Sequence, residues 1–485
     1  MLQRVTDAPR LPGTAELSEF SVFGFDQLLG QMDRQLAQVE LRGGEPAVSI
    51  VEGAVYVPGE QSGLKRGRRG QSADSFLAPP TVAPQRELDE EVIYLGWLFN
   101  HYRHFLMQSL ARTWFLSESD PTSRVVFHAA GRGGGQVPPW ALRMLDAFGV
   151  PRERILTLDA PTRVRRLIIP EPLFEPRAIA QDHAVRAHVA MARPYQAVAA
   201  RLAGDATPSD QPLYLSRRLL PPSQRTIVGE AELEAVLREN GFRIAYPETM
   251  PFEDQVRLVN EHSDIFSNAG SAAHNVLFAR HQPRLHLLTN GTKFSPDYFL
   301  YATVSGAATT FINCLSAGER PSYERGSKQT PHLLDMPAIG EYVAGRGFLR
   351  ARLPTRSPEH EAALRTRYDE DWFGGYIRAL GRRQTLPADL EEEALRLAAA
   401  SWPLSLLLVH YYAARRDHTR ANRLATQFVA LVEAEGDRER LARYRNEVRA
   451  MAPILIKRRD PETAAALARV IAERFSDAAR RETAP

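Results

Sequence analysis

A turn built from small residues lies near the middle of the chain, between an apolar run and a helical pattern. It reads Asn268-Ala-Gly-Ser271, and a helix is predicted over 271–279. The first N–H groups of a helix lack intrahelical partners and carry the positive end of its dipole, so they attract anions. Gly270 lets the backbone approach a phosphate closely, and Ser271 can cap the helix and donate to a phosphate oxygen. Because such turns also occur without any ligand, the turn alone leaves both interpretations open.

Basic side chains follow another apolar run. Tyr214-Leu-Ser-Arg-Arg218 predicts a strand with Ser216 and Arg217 at its carboxyl end, and Arg225 follows. A guanidinium can grip phosphate in a bidentate manner, so these residues are candidates to hold the same anion. Arg218 is expected to point away, since neighbours on a strand alternate faces. The alternative is a surface ion pair.

Two histidines stand three residues apart in His101-Tyr-Arg-His104, at the start of a helix predicted over 100–116. Residues at this spacing share one helix face. An imidazole can take a proton from a hydroxyl near neutral pH, which suits a general base. The spacing is compatible with metal ligation, but no third ligand stands nearby. The alternative is a histidine that satisfies backbone groups at the helix start.

The elements that position these residues alternate strictly between 211 and 315. Strands and helices joined by short loops predict a parallel sheet covered on both faces, with ligands beyond the carboxyl ends of its strands. The first 200 residues also read as α/β, with a hairpin predicted to turn near Gly53 within Ala47–Val57. From Leu390 onward the chain reads as short amphipathic helices without a full tetratricopeptide signature.

Charge and composition exclude several classes. The 485 residues predict two to four domains, and the net charge of +3 gives little support to nucleic-acid binding. A single cysteine, Cys314, excludes an intramolecular disulfide framework and a cysteine-rich metal site.

The acidic triplet Asp369-Glu-Asp371 has the spacing of carboxylates that hold a metal on a diphosphate. It follows a predicted helix instead of a strand, so no metal site is predicted there.

Taken together, three stretches resemble, in order, the motifs of the family 61 glycosyltransferases, which include capsular-polysaccharide proteins and xylosyl- and N-acetylglucosaminyltransferases. The resemblance covers roughly 90–315. It departs from the family at His101, where asparagine is usual, at Ala269, where histidine is common, and at His274. The matching residues are His101-Tyr-Arg-His104-Phe-Leu with Arg112; Tyr214-Leu-Ser-Arg217-Arg with Arg225 and Glu230; and Pro247-Glu248, Phe252, Gln255, Asn268, Gly270, Ser271, Asn275 and Phe278.

The resemblance implies a GT-B fold of the α/β class, in which two Rossmann-like domains face each other and an all-helical C-terminal extension is added. The donor would bind the C-terminal half and the acceptor mainly the N-terminal half. The predicted divisions are 1–205 for the acceptor-side domain, 206–315 for the nucleotide-sugar domain, 316–385 for a loop and helix returning toward the first domain, and 386–485 for the helical, repeat-like extension.

The activity implied is that of an inverting hexosyl- or pentosyltransferase in surface or capsular polysaccharide synthesis. A nucleotide-sugar would be the co-substrate and a glycan, a lipid-linked glycan or another hydroxyl compound the acceptor, with no tightly bound cofactor and metal dependence left open. His104, with His101 second, would be the base, and Tyr102 and Arg112 would lie on the acceptor side. The residues assigned to the donor diphosphate and nucleotide are Ser216, Arg217, Arg225, Glu248, Asn268, Gly270, Ser271 and Asn275.

Two other readings stay open. Another GT-B enzyme, such as a sugar-nucleotide epimerase, shares the layout, so the fold alone does not separate the two. A non-catalytic polysaccharide-assembly scaffold would use the C-terminal helices to bind a protein partner. The chain lacks an apolar stretch of about 20 residues and an N-terminal signal pattern, which predicts a cytoplasmic protein, with peripheral attachment at the inner face of the membrane left open.

Overall fold

The computed structural model divides the chain into two compact units. The first comprises 1–215 and 241–313, and the second comprises 216–240 and 314–485. The residues that the structure describes are 2–5, 20–24, 39–56, 83–98, 102–129, 137–175, 185–221, 224–290, 296–316, 320, 330–350, 355–380, 384–457 and 459–475.

The described part of the first unit contains a central sheet of seven strands. Six of them run parallel, and Leu2–Val5 runs antiparallel at one edge. The strand Asp264–Asn268 is buried along its whole length, as expected for a parallel strand covered on both faces. The strand order is Leu2–Val5, Phe20–Phe23, Ala308–Asn313, Arg284–Thr289, Asp264–Asn268, Leu213–Leu215 and Arg243–Ala245.

A second sheet of five strands and a small sheet of three complete the described strands of this unit. In the five-stranded sheet, Val48–Tyr56 is antiparallel to its neighbour and the others run parallel. Its order is Val48–Tyr56, Thr162–Pro170, Arg86–Leu98, Arg124–Ala129 and Ile155–Leu158. The small sheet has the order Val39–Arg42, Val185–His188 and Phe174–Glu175.

Helices of the first unit share one apolar core that includes residues of both larger sheets. Tyr195, for example, donates to the carbonyl of Leu106 and packs edge-on against Phe278. The α-helices are Tyr102–His104, Pro139–Ala147, Ala192–Leu202, Phe252–Asn260 and Pro296–Ser305. Phe105–Ser109 is a π-helix, and the 3₁₀ helices are Leu110–Ser117, Arg152–Arg154, Val189–Met191, Pro247–Thr249 and Ser271–Phe278.

The described part of the second unit is mainly helical. Side chains of Asp417, Asp437 and Asp460 each cap the helix that follows, which fixes where three of the helices begin. Its strands have the order Ile227–Val228, His332–Leu334 and Leu315–Ser316. Its helices are Glu230–Glu239, Met336–Gly345, Pro358–Leu380, Ala388–Ala398, Trp402–Ala414, His418–Ala434, Arg438–Ile456 and Pro461–Arg474.

The predicted α/β class is confirmed, whereas the GT-B arrangement with a helical extension stays a prediction. The predicted domain divisions stay a prediction. The strand Phe20–Phe23 pairs with Ala308–Asn313, so the central sheet of the first unit draws on both ends of the range 1–313. The hairpin predicted near Gly53 is wrong. Gly53 adopts a φ of +62° inside one continuous strand, Val48–Tyr56. Among the described residues, no helix is long and apolar enough to cross a membrane.

Candidate functional site

The turn at Gly270 joins a buried strand of the central sheet to a 3₁₀ helix, as the sequence predicts for this junction. Gly270 is the N-cap in an extended conformation, and Ser271 is the first helical residue. The expectation that Ser271 caps this helix is therefore wrong, since the cap position has no side chain. Both residues are half-buried. Asn268, at the end of the strand, is buried, and its amide donates to the hydroxyl of Tyr214 at 3.0 Å.

A chain of hydrogen bonds connects the two stretches that the sequence assigned to opposite halves. The Tyr102 hydroxyl donates to Asn275 Oδ1 at 2.5 Å, and Asn275 Nδ2 donates to Gln255 Oε1 at 2.9 Å. Gln255 in turn donates to the carbonyl of Pro247 at 2.8 Å. Burial, with a contribution from Tyr195, raises the pKa of Tyr102, so the hydroxyl stays protonated and can donate. The amide oxygen and the amide nitrogen of Asn275 are thus both hydrogen-bonded to protein side chains. Direct contact between Asn275 and a nucleotide-sugar stays a prediction.

Aromatic side chains surround the histidine that departs from the family pattern. The buried ring of His274 lies 4.4 Å from Tyr301 and 5.8 Å from Tyr298, centroid to centroid. Its Nδ1 lies 2.8 Å from the carbonyl oxygen of Ser271. The Tyr301 hydroxyl accepts from Arg103 Nε at 3.2 Å. Arg103 was not among the predicted site residues, because a single arginine on a helix carries no signal of its own.

Two further predicted site residues, His104 and Arg112, differ in their surroundings. His104 is half-buried and immediately precedes the π-helix Phe105–Ser109, a rare geometry that is frequent at functional sites. Arg112 is buried, donates to the carbonyl of Pro170 and lies over the ring of Tyr94 at 5.4 Å. These contacts support the fold, and a contact between Arg112 and an acceptor stays a prediction. His101 lies outside the described residues.

In the second unit, two buried glutamates on the helix Glu230–Glu239 hold the turn that carries the arginines. Glu230 accepts from the backbone N–H of Arg217 at 3.0 Å. Glu234 accepts from the Ser216 hydroxyl at 2.6 Å and from Arg218 Nε at 3.0 Å. Ser216 is itself buried. The turn is therefore fixed through Ser216 and Arg218, while the guanidinium of Arg217 is left out of these bonds.

Two arginines, one at this turn and one after it, place positive charge near a histidine. Arg217 and Arg225 lie close enough to the buried His332 to act on its titration. Burial, then the charges of Arg225 and Arg217, lowers the pKa of His332 to about 3, so its imidazole is neutral at physiological pH. Arg217 Nε is buried without a hydrogen-bond partner among the described residues. Two guanidinium charges close to the same imidazole, together with a buried N–H that lacks a hydrogen-bond partner, attract an anion.

The acidic triplet lies inside the helix Pro358–Leu380, as its sequence surroundings predict. Asp369 pairs with Arg320 at 2.5 Å, Glu370 with Arg440 at 2.9 Å, and Asp371 accepts from the Thr226 hydroxyl at 2.9 Å. In the described part of the chain, no cluster of three or more histidine, cysteine or acidic residues could hold a metal ion. Glu248 is exposed in the 3₁₀ helix Pro247–Thr249.

Comparison with known proteins found a family match. The model of the family described as Glycosyltransferase 61 matches residues 102–285. The match confirms the resemblance of this segment to the family 61 glycosyltransferases and supports glycosyltransferase activity. It covers Tyr102, Arg217 and Asn275, and it ends before His332. No curated protein matches the chain.

Two pairs of predicted residues are thus related in the structure, one pair in each unit. Tyr102 and Asn275 are hydrogen-bonded in the first unit, and Arg217 and Arg225 both act electrostatically on His332 in the second. His332 was missed, because it stands more than one hundred positions after Arg225 in a stretch that reads as loop. Its position follows from the pairing of Ile227–Val228 with His332–Leu334, which no local pattern predicts.

Proposed function

We propose that this protein is an inverting glycosyltransferase that moves a hexosyl or pentosyl group from a nucleotide-sugar to a hydroxyl of a glycan or lipid-linked glycan. The family match supports the reaction class and, in general terms, a nucleotide-sugar donor and a glycan acceptor. The observation that carries the donor assignment is the guanidinium of Arg217, whose buried Nε has no partner among the described residues and which, like Arg225, acts electrostatically on His332.

The reaction needs two kinds of assistance. The acceptor hydroxyl oxygen forms a bond to the anomeric carbon as the bond from that carbon to the diphosphate oxygen breaks, and the leaving oxygen takes the electron pair. Negative charge therefore grows on the diphosphate, and fixed guanidinium groups stabilise it. The hydroxyl proton goes to a base, and inversion follows from one direct displacement.

The side chains divide between these tasks. Arg217 and Arg225 would bind the diphosphate, and the N–H groups at the Gly270-Ser271 helix start would be a further anion-binding feature. His104 would take the proton of the acceptor hydroxyl. Tyr102 and Asn275, which hydrogen-bond to each other, would hold the helix that carries His104 against the helix Ser271–Phe278. A role in surface or capsular polysaccharide synthesis, inside the cell or at the inner face of the membrane, completes the proposal.

Substitution of Arg217 tests the donor site. We expect Arg217→Ala to weaken binding of nucleoside diphosphates by at least about tenfold, since a charge-assisted hydrogen bond contributes roughly 1.5–3 kcal/mol. Calorimetric titration of uridine and guanosine diphosphates measures this. Arg469→Ala is the matched control, because Arg469 is an exposed arginine of the same unit whose ion-pair partner is Glu433, on the helix His418–Ala434. Equal affinity and equal salt dependence of the wild type and Arg217→Ala would remove Arg217 from the donor site.

A further inference from the structure

A buried hydroxyl lies close in sequence to the imidazole beside the two arginines. Thr330 is 2 % exposed, and its Oγ1 has no hydrogen-bond partner among the described residues. It stands two positions before His332, with Pro331 between them. A residue before proline is driven to an extended conformation, and alternate residues of an extended segment point the same way. Thr330 and His332 are therefore expected to present their side chains to the same side.

The backbone fixes where this side is. His332 pairs in register with Ile227, and its N–H donates to the carbonyl of Thr226 at 2.9 Å. Arg225 stands two positions before Ile227, so continuation of this parallel register places it level with Thr330, two positions before His332. The effect of Arg217 on the same imidazole adds the second guanidinium. Four polar groups from three separate stretches of the second unit thus gather at one end of a small sheet.

Two of these groups have buried polar atoms that lack a hydrogen-bond partner among the described residues. Buried donors and acceptors are hydrogen-bonded in nearly all native proteins, because an unpaired one costs roughly 1–3 kcal/mol. Arg217 Nε and Thr330 Oγ1 both break this rule in the described part of the chain. A ligand with several acceptor oxygens and negative charge satisfies both atoms, and phosphate has that chemistry.

We propose that Thr330 and His332 complete the phosphate site of Arg217 and Arg225, as neutral donors to the diphosphate of the nucleotide-sugar. This inference rests on the proposed function, and it adds two residues that lie beyond the segment matched by the family model. Neutral donors suit this position. Two arginines already supply the charge, and a hydroxyl and an imidazole add hydrogen bonds whose direction selects one arrangement of the phosphate oxygens.

The experiment measures binding of inorganic pyrophosphate, which contains the phosphate part of the donor alone, by calorimetry. Thr330→Val keeps the shape and removes the hydroxyl. We expect it to weaken pyrophosphate binding about three- to tenfold and to raise the midpoint of thermal unfolding without ligand, because an unpaired buried hydroxyl is removed. If Thr330 had only a structural role, Thr330→Val would lower the thermal unfolding midpoint without selectively weakening pyrophosphate binding. His332→Leu should weaken binding about tenfold, and His332→Gln, which retains an N–H donor, should stay within about threefold of the wild type.

The control is His360→Leu, at a half-exposed histidine of the same unit. If Arg217→Ala weakens pyrophosphate binding while Thr330→Val and His332→Leu bind like the wild type, the two added residues are excluded and the donor site stands. If the wild type binds neither pyrophosphate nor any nucleoside diphosphate, the donor site and this inference fall together. Should His332→Leu not fold, Thr330→Val decides alone: unchanged pyrophosphate affinity overturns the proposal, whatever the stability of the variant.

Discussion

At the scale of single residues, the proposed anion chemistry depends on side chains and N–H groups at the ends of two strands. The Gly270-Ser271 junction and the arginine-bearing turn both follow strands, as local patterns predict. The bond between Tyr102 and Asn275 joins residues 173 positions apart, and no periodicity contains that information. Thr330 and His332 were not predicted as site residues, because their position beside Arg225 depends on which strands pair.

The role assigned to His104 can be tested by substitution. We expect His104→Ala and His104→Gln to lower the rate of sugar transfer at least about a hundredfold, because general base catalysis typically contributes 10²–10⁴-fold. Affinity for nucleoside diphosphates should stay within about twofold, since the base acts on the acceptor. Product analysis with purified protein measures transfer, and His360→Ala is the control. Near-normal transfer by both His104 variants would exclude this histidine as the base.

At the scale of elements, alternation of apolar runs and helices was sufficient to predict the parallel strands, and turn chemistry was less reliable. Gly53 suggested a hairpin, yet it lies within a strand that pairs along its length with Thr162–Pro170. A glycine in a strand pattern can mark a local distortion as well as a reversal of the chain. The acidic triplet was predicted on a helix, and its carboxylates pair with arginines and a hydroxyl in the second unit.

Two adjacent strands of the central sheet are linked by an ion pair that makes stability depend on pH. Asp264 and Arg284 are direct partners across the strands, and His286 also contacts the carboxylate at 3.1 Å. Burial works to raise the pKa of Asp264, but hydrogen bonds from His286 and Arg284 outweigh it and lower the pKa to about 2. The carboxylate therefore stabilises the fold above its unfolded pKa, and this contribution is lost as the pH falls from about 4 toward 2.

We expect the wild type to lose about 1 kcal/mol of unfolding free energy between pH 5 and pH 3 that Asp264→Asn does not lose. Urea unfolding at the two pH values measures the difference. Asp254→Asn, at a carboxylate that is 45 % exposed, is the control. An equal fall for the wild type and Asp264→Asn would contradict the link between this carboxylate and the central sheet.

At the scale of the whole molecule, the C-terminal helices are part of the second unit's core. Trp402, Leu407 and Phe428 are buried with Trp372 and Phe373 of the helix Pro358–Leu380. In the described range 386–475, Ile454 is the large apolar side chain that stays exposed. A scaffold that captured its partner through an apolar helix face would need such a face, so the contacts favour a core role for these helices. The sequence left open whether these helices pack on the rest of the protein or bind a partner, because an amphipathic pattern shows that a face is buried but not against what.

The proposed function requires that this molecule bind a sugar joined to a nucleoside diphosphate. The most direct measurement is the thermal unfolding midpoint of the wild type with a panel of diphosphate-linked sugars and, as comparison, a monophosphate-linked sugar. Ligands that bind the native state raise this midpoint by mass action. We predict that at least one diphosphate-linked sugar raises it, that the monophosphate-linked sugar raises it less, and that Arg217→Ala abolishes the difference. A midpoint unchanged by every sugar nucleotide at millimolar concentration would contradict the account.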